Sequence, residues 1–159
     1  MALISATRLR VRSLFYLPQF SWATLLSARQ LTHAAGFLGG RLLIDRYRNF
    51  WTLTAWEDET AMRRFRNDGA HRKVMPKLLQ WCDEATLVHW HQDTPTLPDW
   101  QEAHQRIISE GKLSKVNHPS PNHATKDFPE PRVGLLSREL QPASRSASKA
   151  VQSAQRRAG

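Results

Sequence analysis

Residues 50–92 read FWTLTAWEDETAMRRFRNDGAHRKVMPKLLQWCDEATLVHWHQ, and this stretch decides the fold. It opens on FWTLTAW (50–56), a run of aromatic and β-branched residues that is the strongest β signal in the chain. Glu57, Asp58, Glu59 and Thr60 then open a helix, with acids where the helix dipole favours them, and Ala61, Met62 and Phe65 give it an apolar face. Asn67-Asp68-Gly69 interrupts that helix. A second helical piece over 71–82 carries Val74, Met75, Leu78, Leu79 and Trp81, with Pro76 early enough to be tolerated. ATLVHWHQ (85–92) alternates again and predicts a strand. The unit is strand, broken helix, strand.

Working back towards the N-terminus, residues 7–17 predict a strand with Leu9, Val11, Phe15 and Leu17 on one face and Arg8, Arg10, Arg12, Leu14 and Tyr16 on the other, ended by Pro18. Residues 19–35 predict a helix with Ser21 as N-cap and Trp22, Leu25 and Leu26 as its buried face, stopped by Gly36. Residues 37–47 predict a strand bulged at Gly39-Gly40, and Arg48-Asn49 turn it into a hairpin with 50–56. Forward of 92, residues 98–110 predict a short helix with Gly111 as its stop. The order β-α-β-β-α-β is the α+β, ferredoxin-like pattern: a four-stranded antiparallel sheet with helices on one face.

Beyond Gly111 the character of the chain changes. All six tryptophans of the 159 residues lie before it, and Ser, Pro, Ala, Lys and Arg dominate after it. We expect two parts, a folded domain over 1–111 and a disordered tail over 112–159, because hydrophobe-poor sequence cannot offset its ordering entropy. The tail holds nine Lys/Arg against three acids (Asp127, Glu130, Glu139), so most of the net charge of +9 belongs to it. It predicts weak, salt-sensitive contact with polyanions and leaves the domain without the electrostatic footprint of a nucleic-acid binder.

The single cysteine, Cys82, rules out an intrachain disulfide framework and fits a reducing compartment. No apolar run reaches the roughly 20 residues that span a bilayer, so no membrane partner is expected. Arg8, Arg10 and Arg12, with no acid before Asp45, give a transit-like composition, but their alternation with Leu9 and Val11 reads as strand. A cytoplasmic location is expected.

Both sides of the expected sheet are apolar. Phe50 and Trp56 point one way, and Trp51, Leu53 and Ala55 the other. One set of helices covers one face, so the second face predicts a homodimer enclosing a small-molecule cavity, unless the last helix or the tail folds over it. His89 and His91 share one face of their strand and are acid–base candidates, though two histidines fall short of a zinc site and no metal is expected. His71 sits at the helix break, where it reaches a pocket or merely caps the next helix. Trp51, Thr54 and Trp56, with Arg10 and Arg12 on the neighbouring strand, have the character of a pocket lining and equally of a β core. No Gly-rich phosphate loop, Gly-x-Ser-x-Gly elbow or His-Glu-x-x-His motif is present.

The central stretch, with ARQLTHAAGFLGGRLLIDR (28–46) before it, resembles an uncharacterised bacterial family of the dimeric α+β barrel superfamily. The superfamily includes antibiotic-biosynthesis monooxygenases, haem-degrading enzymes, chlorite dismutases and spheroidene monooxygenase. The resemblance covers residues 7–92. It implies a ferredoxin-like fold and a homodimer with sheets packed face to face, and the leading expectation is a monooxygenase-like protein of unknown substrate that binds an apolar or aromatic molecule between sheet and partner. His71 and His89 are then the catalytic candidates, with Trp51, Thr54, Trp56, Arg10, Arg12 and His91 lining the substrate. A non-catalytic binding or scaffold protein of the same fold is the alternative. The resemblance leaves haem and no cofactor as equal expectations: the Trp and haem-ligating His of the haem-degrading members fall at Phe65 and Met75.

Overall fold

The computed structural model describes residues 1–132 and 136–144. The central stretch folds as read: β3 spans Asn49–Trp56, α2 Glu59–Arg66, α3 Gly69–Trp81 and β4 Cys82–Gln92. Asp58 caps α2, its carboxylate accepting from the Ala61 N–H at 2.7 Å. Gly69 starts α3 at a φ of +53°, a left-handed conformation that disfavours a side chain. β2 (Phe37–Ile44) forms the hairpin with β3, and the register shift between Phe37 and Gly39 is the bulge predicted there.

The first strand is displaced. β1 covers Ala2–Val11 instead of 7–17, and a 3-10 turn at Leu14–Tyr16 leads into α1 (Leu17–Thr32). Pro18 ends no strand; it sits in the first turn of α1, where its missing N–H costs nothing. The alternation inside β1 is as predicted, with Leu9 and Val11 packed beneath α1 and α3. Phe15, placed on the same strand face as Leu9 and Val11 by the alternation, lies beyond β1 and is exposed. The buried face of α1 is also corrected: Trp22, Leu25 and Leu26 are 63%, 50% and 39% exposed, while Phe20 and Leu31 are buried. Positions 17, 20, 24, 28 and 31 form a continuous helical stripe, and the small side chains of Thr24 and Ala28 within it let α1 lie close on the sheet.

The sheet has six strands rather than four, in the order β5-β4-β1-β3-β2-β6, with every neighbouring pair antiparallel. β5 (Lys112–Leu113) extends the β4 edge and β6 (Leu136–Leu140) pairs with β2. Both lie in the segment expected to be a disordered tail. So does α5 (Pro121–Thr125), and Val116, Phe128 and Leu140 are buried. Main-chain N–H groups of Ser114, Asn117 and Ser120 donate to the carbonyls of Ala85, Leu79 and Asp83, strapping this segment to β4 and the end of α3. Gly111 therefore ends a helix and does not end the packed chain. A few well-placed apolar residues and main-chain bonds hold a segment whose average composition suggested disorder. Positions 133–135 and 145–159 of the expected tail lie outside the described residues.

Each face of the sheet is covered. On one, the helix side, α1, α2 and α3 bring Phe20, Leu31 and Met62 against Leu3, Val11, Phe50 and Trp56. On the other, the outer face, Ala103 and Ile107 of α4 (Trp100–Glu110), together with Phe128, close over Ile4, Trp51, Leu53, Ala55 and Val88. This outer face was expected to meet a second copy. It is filled from within the chain instead, which removes the exposed patch that argued for pairing there. Among the described residues no helix is long and apolar enough to cross a membrane.

Candidate functional site

The helix-side face of the sheet gathers four of the predicted site residues. Ser5 pairs with Thr54 on β3 and with His89 on β4, so these three side chains form a row across the middle of the sheet. Ser5 and Thr54 are buried and His89 half-buried. The Thr54 hydroxyl accepts from the Trp56 indole N–H at 2.9 Å. From Trp56 a second row runs outward: its ring lies 5.5 Å from Phe37 and 5.4 Å from Phe65, and Phe65 lies 4.7 Å from His71. One row offers hydroxyls and an imidazole, the other aromatic faces. They meet at Thr54 and Trp56.

Both histidines are held neutral. Burial pushes the His71 imidazole below its ordinary pKa, with the nearby Arg66 charge adding to it against a bond to the Arg66 carbonyl. That carbonyl oxygen lies 3.2 Å from Nδ1, which places the ring proton on Nδ1 and a free lone pair on Nε2. Burial also lowers His89, helped by the charges of Arg66, Lys112 and Arg63 and opposed by Glu59. Near pH 7 each ring is therefore a proton acceptor.

Gln30 of α1 fastens the break between α2 and α3. Its Nε2 donates to the carbonyls of Phe65 (3.2 Å) and Asp68 (3.0 Å), and its Oε1 accepts from the His71 main-chain N–H (2.9 Å). Beside this clasp a groove of about 660 Å³ runs between α1 and the α2–α3 corner, lined by Leu26, Arg29, His33, Ala61, Arg64 and Phe65. Phe65 belongs to both the groove wall and the aromatic row. It links the surface to the interior.

The remaining predicted residues lie elsewhere. Trp51 is on the outer face, its indole N–H directed at Asp45. Arg10 forms a bidentate pair with Asp83 at 2.9 and 2.7 Å. Arg12 donates to the Gln80 carbonyl and the Tyr16 hydroxyl. His91 is exposed near the end of β4. These four do not join the two rows. The positions matched to haem-degrading enzymes fare no better: Phe65 fills the space between Trp56 and His71, and Met75 is exposed on α3. A porphyrin plate does not fit among these side chains as packed. Among the described residues, no three metal-ligating side chains converge.

The sequence reading missed a second polar cluster on the outer face. Arg8, only 1% exposed, donates to Glu84 and, at 2.8 Å, to Asn49, while the Asn49 amide donates to Asp45 at 2.8 Å. Ser120 reaches over from the strap to donate to Glu84 at 2.7 Å, and the Phe128 ring lies 4.1 Å from the guanidinium. The cluster ties β1, β3, β4 and the strap together. Glu84 stands just before the predicted strand 85–92, and its pairing with Arg8 is visible only once the strand register is known.

The model of a family described as "Domain of unknown function (DUF3291)" matches residues 20–117. No curated protein matches the sequence. Solved structures share the fold. SnoaB, a cofactor-independent oxygenase from Streptomyces nogalater, is 18% identical over 62% of this chain and 98% of its own, at a TM-score of 0.50. A conserved protein from Methanosarcina mazei Go1 is 12% identical over 58% and 94%, at 0.53. An antibiotic biosynthesis monooxygenase is 12% identical over 58% and 99%, at 0.52. These likenesses establish an α+β, ferredoxin-like fold.

Proposed function

The chain belongs to the DUF3291 family, and from that premise we propose that it is a monooxygenase-like protein binding an apolar or aromatic small molecule on the helix side of its sheet. The observation that carries this reading is the meeting of the aromatic row Phe37–Trp56–Phe65–His71 with the polar row Thr54–Ser5–His89. Flat apolar surface beside a few fixed polar groups is what orients a small aromatic ligand. The site moves from the space between two copies to the space between sheet and helices of one chain, so the reading needs no second copy. A homodimer, if formed, uses another surface. A cytoplasmic setting, with Cys82 buried and its thiol pushed up to about 12 by burial, belongs to the same proposal.

The chemistry suited to these groups begins with a proton. A neutral His89 or His71 takes the acidic proton of an electron-rich phenol or activated methylene, and the Ser5 and Thr54 hydroxyls donate to the oxyanion that forms. The anion supplies the electrons to dioxygen. One oxygen atom enters the substrate as a carbonyl and the other leaves as water with the two hydrogens lost from carbon. Titration with 1-anilinonaphthalene-8-sulfonate, followed by oxygen uptake with a panel of tricyclic phenols, tests the proposal. Ala70→Trp, which fills the groove, is expected to weaken probe binding about tenfold, the scale of one well-placed contact. Probe binding without oxygen uptake favours the non-catalytic binding alternative. Absence of both overturns the proposal.

A further inference from the structure

We propose that the outward surface of α1, with α3 beside it, docks the protein on an anionic lipid bilayer. Trp22, Leu25 and Leu26 stand at i, i+3 and i+4 on the side of α1 away from the sheet, and Leu14 and Phe15 extend the patch at its N-terminal end. All five are exposed, and together they present on the order of 500 Å² of apolar surface, towards the upper end of what a free monomer shows. Nothing among the described residues covers them.

The charges around the patch choose the occupant. α1 and α3 pack side by side, carry Arg29, Arg72, Lys73 and Lys77 exposed, and contain no Asp or Glu. Asp68, which precedes α3, is the acid nearest the groove. A second copy would set four cations against four, which disfavours self-association through this face. An anionic leaflet attracts the same cations, and exposed Trp and Leu suit the headgroup boundary. The helix lies on the bilayer and does not cross it. This revises the expectation of no membrane partner, which rested on the absence of a spanning segment.

The groove opens on the same surface, since Leu26 and Arg29 both belong to the patch and line the groove. An apolar ligand dissolved in the bilayer then reaches Phe65 without crossing water. That last step rests on the proposed function, whereas docking stands without it, so vesicle binding survives if ligand binding fails.

The test is flotation of the full chain with phosphatidylcholine vesicles, with and without about one-third phosphatidylserine. Wild type is expected to float with the anionic vesicles and to be released by high salt. The double variant Trp22→Ser/Leu25→Ser is expected to bind at least about tenfold more weakly, and Lys73→Glu about fivefold more weakly. Both sets of side chains are exposed, so unchanged circular dichroism and melting are expected in the variants. Equal flotation with neutral and anionic vesicles, or no flotation, overturns the proposal. So does anionic binding that the α1 variants leave unchanged, because the basic C-terminal residues would then be its source. Light scattering that shows a wild-type dimer made monomeric by the α1 substitutions would assign the patch to a second copy and also overturn it.

Discussion

The outer face and the helix-side face of this sheet are built from alternate residues of the same strands, yet they bury different chemistry. On the outer face Arg8, Glu84, Asn49 and Asp45 form a buried charged network beneath Phe128. On the helix side Thr54, Ser5 and His89 lie beside tilted and edge-on aromatics, and among the described residues no ion pair joins them. Full charges shut away from water demand partners, and Glu84 and Asn49 meet that demand for Arg8 at its two terminal nitrogens, while Arg8 Nε has no partner among the described residues. Hydroxyls and neutral imidazoles can be buried at smaller cost and can still exchange partners with a ligand. The contrast teaches that the most polar buried cluster marks where the fold is fastened. The quieter row is where it can bind.

The largest expected effect breaks the outer face. Glu84→Gln leaves the Arg8 charge without its counter-ion and loosens Ser120, and is expected to cost about 3–5 kcal/mol in urea unfolding. The paired replacement Arg8→Met/Glu84→Leu is expected to restore most of that loss, because an apolar pair of similar size replaces a buried ion pair with little penalty. Failure of the rescue would mean that Arg8 has a use beyond fastening.

Next is Phe128→Ala, which opens the cover over Arg8, Trp51 and Ile107 and is expected to cost about 3 kcal/mol. The same experiment decides whether residues beyond Gly111 belong to the domain. If the variant melts with wild type, the strap carries no stability and the outer face is free to meet a partner. A smaller effect is expected on the other face. Thr54→Val keeps the shape but strands the Trp56 indole N–H, at a cost of about 1–2 kcal/mol in the same unfolding assay.

The division of the strands into two faces is legible in the sequence, and what each face assembles is not. Alternation alone separated Phe50 and Trp56 from Trp51, Leu53 and Ala55, and the structure keeps that division. The acids at 57–59 and the Asn-Asp-Gly break located α2 and α3 because capping and helix breaking are local events. The register was not legible, since it depends on pairing between distant strands. Without it, neither the Thr54–Ser5–His89 row nor the partnership of Arg8 with Glu84 can be seen. Ser5 lies outside the predicted strand altogether. The face of α1 was misread because Trp22, Leu25 and Leu26 outweigh Thr24 and Ala28 in hydrophobicity, whereas close packing on a sheet selects the small residues. The strap was missed for a related reason. Average composition hides a single phenylalanine that fills a cation-lined hollow.

The smallest expected effect is also the one that separates the faces by pH. His71 and His89 are both held below their ordinary pKa in the folded chain, mainly by burial. The unfolded chain takes up these protons near about 6.5. Below that pH it binds more protons than the folded chain, so stability falls as pH drops from about 6.5 through the lower folded values and is fully present above about 7. Unfolding midpoints in urea are expected to decline between about pH 7 and 5, and His89→Gln and His71→Gln each to flatten part of that slope. Because His89 is only half-buried, solvent screening keeps its share of the slope small. Glu84→Gln lowers the whole curve without removing this histidine slope. If the double histidine variant retains the wild-type slope, the imidazoles are not held neutral on the helix side. The proton acceptors of the proposed chemistry must then be sought elsewhere.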